Sequence, residues 1–250
     1  MWIECFERDA RFDGADAEAL VEEFLAHVRA AHQVPYPEHE IRLWARNFAD
    51  ASAREDGPVE RVPSIGPIVV HPVTEDRIDD WLRFFDRDAF PDNPDWGSCY
   101  CLHPHTGDVP ERPWRDVRAD MVERLRSGAT LGYLAYVDGR LAGWVNASYR
   151  STYAKYDGLD PDGPDPGTVV GVSCFVIAPP YRRHGVSSAL LDRVVADGQA
   201  RGARCIEGYP RRTAPGTDSE SFCGPRSMFD ARGFAAVMEH DRFTVVRKPV

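Results

Sequence analysis

A chain of 250 residues with 43% apolar and 28% charged side chains can hold one well-buried core plus an appendage, or two small domains. Its formal net charge of −10 argues against general nucleic-acid binding, which needs clustered cations to displace counterions. No apolar run approaches the roughly 20 residues that span a bilayer, and residues 1–16 lack the basic-then-apolar layout of a signal peptide. A cytoplasmic location follows as the expectation, with Cys5, Cys99, Cys101, Cys174, Cys205 and Cys223 mostly reduced thiols.

The charge is uneven. Residues 1–66 carry 14 acidic and 7 basic side chains, a net of −7, and the remainder carries −3. Such acidity suits a cationic small partner, and it also simply keeps a protein soluble.

In chain order, residues 1–56 read as a small α-rich module. Trp2–Phe6 reads as a strand, and Ala15–Ala31 as a helix with Leu20, Val21, Phe24, Leu25 and Val28 on one face. Glu38–Ala53 is a second helix with an Ile41, Trp44, Ala45 and Phe48 stripe. His27 and His32, five residues apart on one helix, point about 140° from each other, which disfavours a shared metal ion. Residues 57–67 are rich in proline and glycine and read as a linker to a main domain over 68–250.

The main domain opens with a strand at Ile68–Val73, then a helix at Glu75–Arg87 with Thr74 as N-cap. A loop over Phe90–Glu111 and a helix over Pro113–Ser127 follow. Leu131–Val137 and Leu141–Ser148 flank Asp138-Gly139, a strong hairpin signal. Tyr156–Gly167 is a long turn-forming loop. The apolar run Val169–Ile177 is a buried strand. It breaks at Pro179-Pro180 into the basic turn Arg182-Arg183-His184-Gly185-Val186-Ser187, and a helix runs from Ser187 to Arg201. A strand feeding a basic turn at a helix N-terminus is a pyrophosphate cradle, because free N–H groups and the helix dipole both favour an anion. A strand at Cys205–Tyr209, a helix at Pro225–Arg232 with Gly224 as N-cap, and strands at Phe234–Glu239 and Phe243–Arg247 complete the order β-α-α-β-β-β-α-β-α-β-β.

That order and turn resemble the GNAT N-acetyltransferases over about residues 66–250. The family signature Gln/Arg-x-x-Gly-x-Gly/Ala matches Arg182–Ser187, with serine in the last small slot. A late motif, an aromatic four residues before Gly-Phe, matches Phe229 and Gly233-Phe234. A finer likeness is to members with Cys99-Tyr100-Cys101, Glu207-x-Tyr209-Pro210 and Gly224-x-x-x-Met228-Phe229. The resemblance implies an α/β (α+β) GNAT fold, a mixed and mostly antiparallel twisted sheet flanked by helices, with a small N-terminal helical extension. It implies acetyl-CoA as co-substrate and no required metal. Arg182, Arg183, His184, Gly185, Val186, Ser187 and Ser188 would hold the pyrophosphate. The backbone of Phe175, Val176 and Ile177 would pair with the pantetheine arm, with Phe229 nearby. The N–H of Val176 or a neighbour would polarise the thioester carbonyl.

The proton-transfer pattern departs from the family. Many members place a carboxylate where this chain has Gly171 and a tyrosine where it has Phe229. Ser173 is the strand's other polar residue of that parity. Glu207 as base and Tyr209 as acid share a face of the adjacent strand and are the replacements read here, although Glu207 equally suits a structural pairing with an arginine.

The loop Trp96–His105 contains C-x-C-x-H-x-H. Strict alternation lacks the spacing of zinc knuckles, so the preferred reading is an acceptor site lined by Trp96, Cys99, Tyr100 and Cys101. The expected function is N-acetylation of a primary amine on a small molecule or peptide, with a homodimer, and without nucleic-acid or membrane partners. The alternatives are a non-catalytic acyl-CoA sensor or scaffold, and a Cys/His metal module fused to a GNAT domain for partner recognition. Aminoglycosides, polyamines and peptide N-termini are all conceivable acceptors.

Overall fold

The fold is taken from a computed structural model, which describes residues 1–5, 10–31, 41, 42, 45, 49, 61–90, 96–107, 112–213 and 219–250. Most of the Glu38–Ala53 helix, His32 and residues 57–60 of the linker lie outside the described residues.

In the N-terminal unit, β1 (Trp2–Cys5) pairs antiparallel with β2 (Ala10–Asp13), a strand the apolar pattern did not signal. Helix α1 (Ala17–Ala31) buries the five residues of its predicted stripe. It starts where the Asp16 carboxylate accepts the Ala19 N–H at 2.8 Å, an N-cap bond. Ile41, Ala45 and Ala49 are helical and buried with Ile3 in the same cluster.

The main sheet has seven strands: β3 (Ile68–Pro72), β4 (Gly132–Val137), β5 (Arg140–Tyr149), β6 (Val169–Ile177), β7 (Cys205–Gly208), β8 (Ala235–Glu239) and β9 (Thr244–Pro249). Their spatial order is β3-β4-β5-β6-β7-β9-β8, and β6–β7 is the parallel pair among antiparallel ones. The β4–β5 turn places Asp138 and Gly139 at φ 50° and 76°, the two positive values that a type I′ turn demands.

Helices cover both faces. Helix α2 (Ile78–Arg83), α3 (His103–Thr106) and α4 (Trp114–Arg126) precede the hairpin, α5 (Val186–Gly198) follows β6, and α6 (Arg226–Asp230) precedes β8. Strand alternation splits the core. Val145 joins Val186, Leu190, Leu191 and Val194 of α5, whereas its neighbour Trp144 joins Trp81 of α2 and Met121 of α4.

The element order agrees with the sequence reading, with local differences. The segment predicted as one helix over 75–87 is a 3-10 turn, then α2, then a wide π turn over Phe84–Asp88. Thr74 does not cap it, because its hydroxyl donates to the Asp76 carboxylate. Helix α3 is an additional short turn inside the predicted loop. Helix α5 stops at Gly198, before Gly202, and α6 begins at Arg226 with Pro225, not Gly224, at its N-cap. Residues 61–67 are laid onto the main domain: the Val62 N–H donates to Pro180 O at 3.1 Å, and the His184 Nε2–H donates to Val62 O at 2.8 Å.

Candidate active site

The site is built on the centre of β6. Strand β7 pairs only with Val169–Val172, so Ser173–Ile177 continue without a ladder partner on that side among the described residues. The opposite edge is paired with β5 as far as Ile177. The Ala178 N–H donates to Ala142 O at 3.0 Å and sets the parity. Ala178, Val176 and Cys174 turn their backbone groups toward β5, and Phe175 and Ile177 turn theirs toward the gap. This corrects the inclusion of Val176 among cleft-facing amides. The register shift between Asn146 and Ala147 leaves Ser173 as an inserted bulge residue. Its Oγ is buried, lines the cavity and has no hydrogen-bond partner among the described residues.

Strand β6 leads through a 3-10 turn at Pro179–Tyr181 to the N-terminus of α5. Arg183 has φ 67° and Gly185 has φ 83°. Two left-handed residues reverse the chain within the turn, and glycine adopts that conformation without strain. The first intrahelical bond runs from the Ala189 N–H to Gly185 O, so the preceding amides face outward at the positive end of the helix dipole. Arg182 hooks its Nε–H onto Ile177 O at 3.0 Å and so braces the turn against the strand. His184 does not line the cavity; its imidazole is spent on Val62 O.

A cavity of about 740 Å³ connects this turn to the open strand edge. Its walls include Phe175, Val176, Ile177, Arg182, Arg183, Gly185, Val186, Ser187 and Ser188, residues that the sequence reading set aside for a cofactor. The loop leading into α3 contributes Trp96, Cys99 and Cys101, and Trp96 packs edge-on against Phe222 at 5.5 Å. Tyr100 is a correction: it is buried away from the cavity, stacked on Phe85, with its hydroxyl donating to Asp86 at 2.7 Å. Tyr100 and Cys101 both have positive φ, 43° and 55°, and this anchoring holds the strained turn. Phe229 is also a correction. It is buried against Gly208 and Phe234 beneath the site and does not line it. Ser173, Lys155, His103, Ser221, Phe222 and Met228 line the cavity without having been chosen from sequence. The parity of Ser173 and the motifs holding His103 and Met228 were advance signals; Lys155, Ser221 and Phe222 arrive from short 3-10 turns whose placement no periodicity encodes.

Glu207 and Tyr209 lie outside the lining. Glu207 is fully buried, paired with Arg150 at 3.2 Å and with Arg247, which also reaches Asp160 at 2.6 Å. The Tyr209 hydroxyl donates to Glu207 at 2.8 Å, and its ring stacks on Tyr156 at 3.7 Å. Burial, reinforced by the Glu207 charge, pushes the Tyr209 phenol well above its ordinary range. The Gly171 position is packed shut: a Cβ there would come within 2.8 Å of Tyr153 and 2.9 Å of the Tyr209 hydroxyl.

The four C-x-C-x-H-x-H side chains do not converge. Cys101 Sγ meets Cys174 Sγ at 3.0 Å, while Cys99 is exposed. His105 donates from Nδ1 to Thr152 O at 3.0 Å, so its Nε2 accepts from Asn146 and Thr130 at 2.9 and 3.2 Å. Burial holds this imidazole down at about 4. Asn146 also donates to Cys101 O, fastening the loop to β5. Among the described residues no three His, Cys, Asp or Glu side chains are grouped to hold a metal ion. Nor is any helix there long and apolar enough to cross a membrane.

The profile of the acetyltransferase (GNAT) family matches residues 77–212, more than half of the chain. Among solved structures, an N-acetyltransferase from Staphylococcus aureus Mu50 is similar at 11% identity over 74% of this chain and 99% of its own, with a TM-score of 0.45. PaiA N-acetyltransferase from Thermoplasma acidophilum, in complex with coenzyme A, is similar at 14% identity over 74% and 99%, with a TM-score of 0.44. The GNAT domain of S. lividans PAT is similar at 17% identity over 72% and 89%, with a TM-score of 0.46. No curated protein matches the chain.

Proposed function

The chain belongs to the acetyltransferase (GNAT) family, and from that premise we propose that it transfers the acetyl group of acetyl-CoA to a primary amine of a small molecule or peptide. One observation carries the reading: an unpaired strand edge runs directly into a basic helix N-terminus along one cavity. Phe175 and Ile177 present backbone groups to the gap, where an extended amide-bearing arm adds as a further strand. The pyrophosphate belongs at the outward amides of Gly185–Ser188, with Arg182 and Arg183 supplying charge. Attack by the amine develops negative charge on the thioester oxygen, and the Phe175 N–H is the donor we assign to it, because Val176 turns its own to β5.

Glu207 and Tyr209 are read as structural. A carboxylate fully buried between two arginines has neither the access nor the freedom to take a proton from an amine. His103 lines the cavity and carries an imidazole, the side chain suited to proton transfer near neutrality, so we assign it the ammonium proton through water. Replacing His103→Gln is expected to remove the acidic limb of the kcat/KM pH profile; an unchanged profile rejects the assignment.

Calorimetric titration with acetyl-CoA tests the binding mode. Ile177→Pro removes the cleft-facing N–H and should weaken binding at least tenfold, whereas equal affinity contradicts strand addition. A second reading, binding without turnover, is favoured by the closed packing at Gly171. It predicts acetyl-CoA binding with no thiol release.

A further inference from the structure

We propose that Lys155 reads an anionic group on the acceptor, which makes the acceptor an amine that also carries a carboxylate: an amino acid with an apolar side chain. This rests on the acetyl-transfer reading and adds a substrate class to it.

Lys155 stands on the cavity wall, in the short turn Ala154–Tyr156. The turn is fixed by bonds from the Tyr156 N–H to Tyr153 O and from the Asp157 N–H to Ala154 O. Its ammonium lies 5.8 Å from the Tyr156 ring and makes no ion pair with the described residues. Its positive charge favours ionisation of two buried thiols, that of Cys174, which the Cys101 hydrogen bond and burial oppose, and that of Cys223, which burial opposes. Its turn packs against α3, whose His103 lines the cavity with it, as do Ser173 and Cys174 from the middle of β6. Cys174 is three residues before Ile177, about 10 Å along the strand from the end that leads to Arg182 and Arg183. The two arginines and Lys155 therefore serve different ends of the cavity, and Lys155 serves the end where the acceptor meets the thioester.

No aspartate or glutamate lines the cavity among the described residues, and Phe90, Trp96, Phe222 and Met228 supply apolar wall. A half-buried ammonium with no counter-charge loses hydration that a bound carboxylate restores. A polyamine or aminoglycoside would instead bring like charge against it. The chain's net charge of −10 points toward cationic acceptors, but an amino-acid zwitterion carries no net charge and enters against no long-range field.

The test uses the full-length protein and a matched set: leucine, leucinamide and 3-methylbutylamine as acceptors, and their N-acetyl forms as binding probes. Calorimetry is expected to show N-acetylleucine binding at least tenfold tighter than N-acetylleucinamide, with Lys155→Met erasing the difference and Lys155→Arg keeping it. In turnover, the kcat/KM ratio of leucine to 3-methylbutylamine should fall at least tenfold in Lys155→Met, through KM. Equal affinity for the two probes, no binding of N-acetylleucine, or a ratio unmoved by Lys155→Met overturns the proposal. Acetyl-CoA binding with no CoA release in any arm is a separate result, and it defeats the acetyl-transfer reading while the probe affinities still judge Lys155.

Discussion

Two tyrosines occupy the space that a side chain at position 171 would fill. Adding one methyl group there forces Tyr153 or Tyr209 to move, so Gly171→Ala is expected to cost about 1–3 kcal/mol by overpacking. The Glu207 carboxylate beside them satisfies two arginines, and Glu207→Gln leaves Arg150 buried with half its partner gone. The expected loss is about 3–5 kcal/mol, read from urea midpoints, with turnover per folded molecule retained. His105 gives a pH signature. Its folded pKa of about 4 lies below the ordinary value of 6.5, so the unfolded chain takes up its proton first on acidification. Stability from this site is complete above about pH 6.5 and drains away as pH falls toward 4, by up to about 3 kcal/mol. Denaturation midpoints of wild type and His105→Gln across that window should diverge; parallel curves reject the claim.

At the scale of elements, the turn from β6 into α5 was legible because its chemistry is local: a proline break, a glycine where φ must be positive, and arginines at a helix start. Gly185→Val should strain that turn and weaken acetyl-CoA at least tenfold in calorimetry, with a melting temperature lowered by only a few degrees. The bulge at Ser173 was not legible, because a run of buried β-branched residues looks the same whether or not one residue is inserted. That single insertion also resets which amides face the cleft. The loop Trp96–His105 was half legible. Its unusual composition marked it, but Tyr100 turned inward to Asp86 and Lys155 arrived from a distant turn. Glu207 and Tyr209 share a strand face as alternation requires, and what alternation omits is that two arginines and Tyr156 cover that face.

For the whole molecule, the order of strands and helices in the main domain followed from period and punctuation alone, and the sheet realises it with one parallel pair. Strand β2 escaped because four residues alternating ARFD carry too little apolar signal. The N-terminal unit keeps its own apolar cluster around Phe24. Val62, by contrast, clamps the turn between β6 and α5 with both of its backbone groups. A protein beginning at Arg61 is therefore expected to bind acetyl-CoA within a few-fold of the full chain, and one beginning at Pro67 much more weakly; equal losses from both would tie the site to the N-terminal unit. In the proposed reaction this cavity moves an acetyl group to an amine. The most direct measurement is CoA thiol release from acetyl-CoA with and without a panel of primary amines, with the product identified by mass spectrometry. Release is expected to depend on an amine and to yield its N-acetyl form. Tight acetyl-CoA binding with no amine-dependent release across the panel would contradict it.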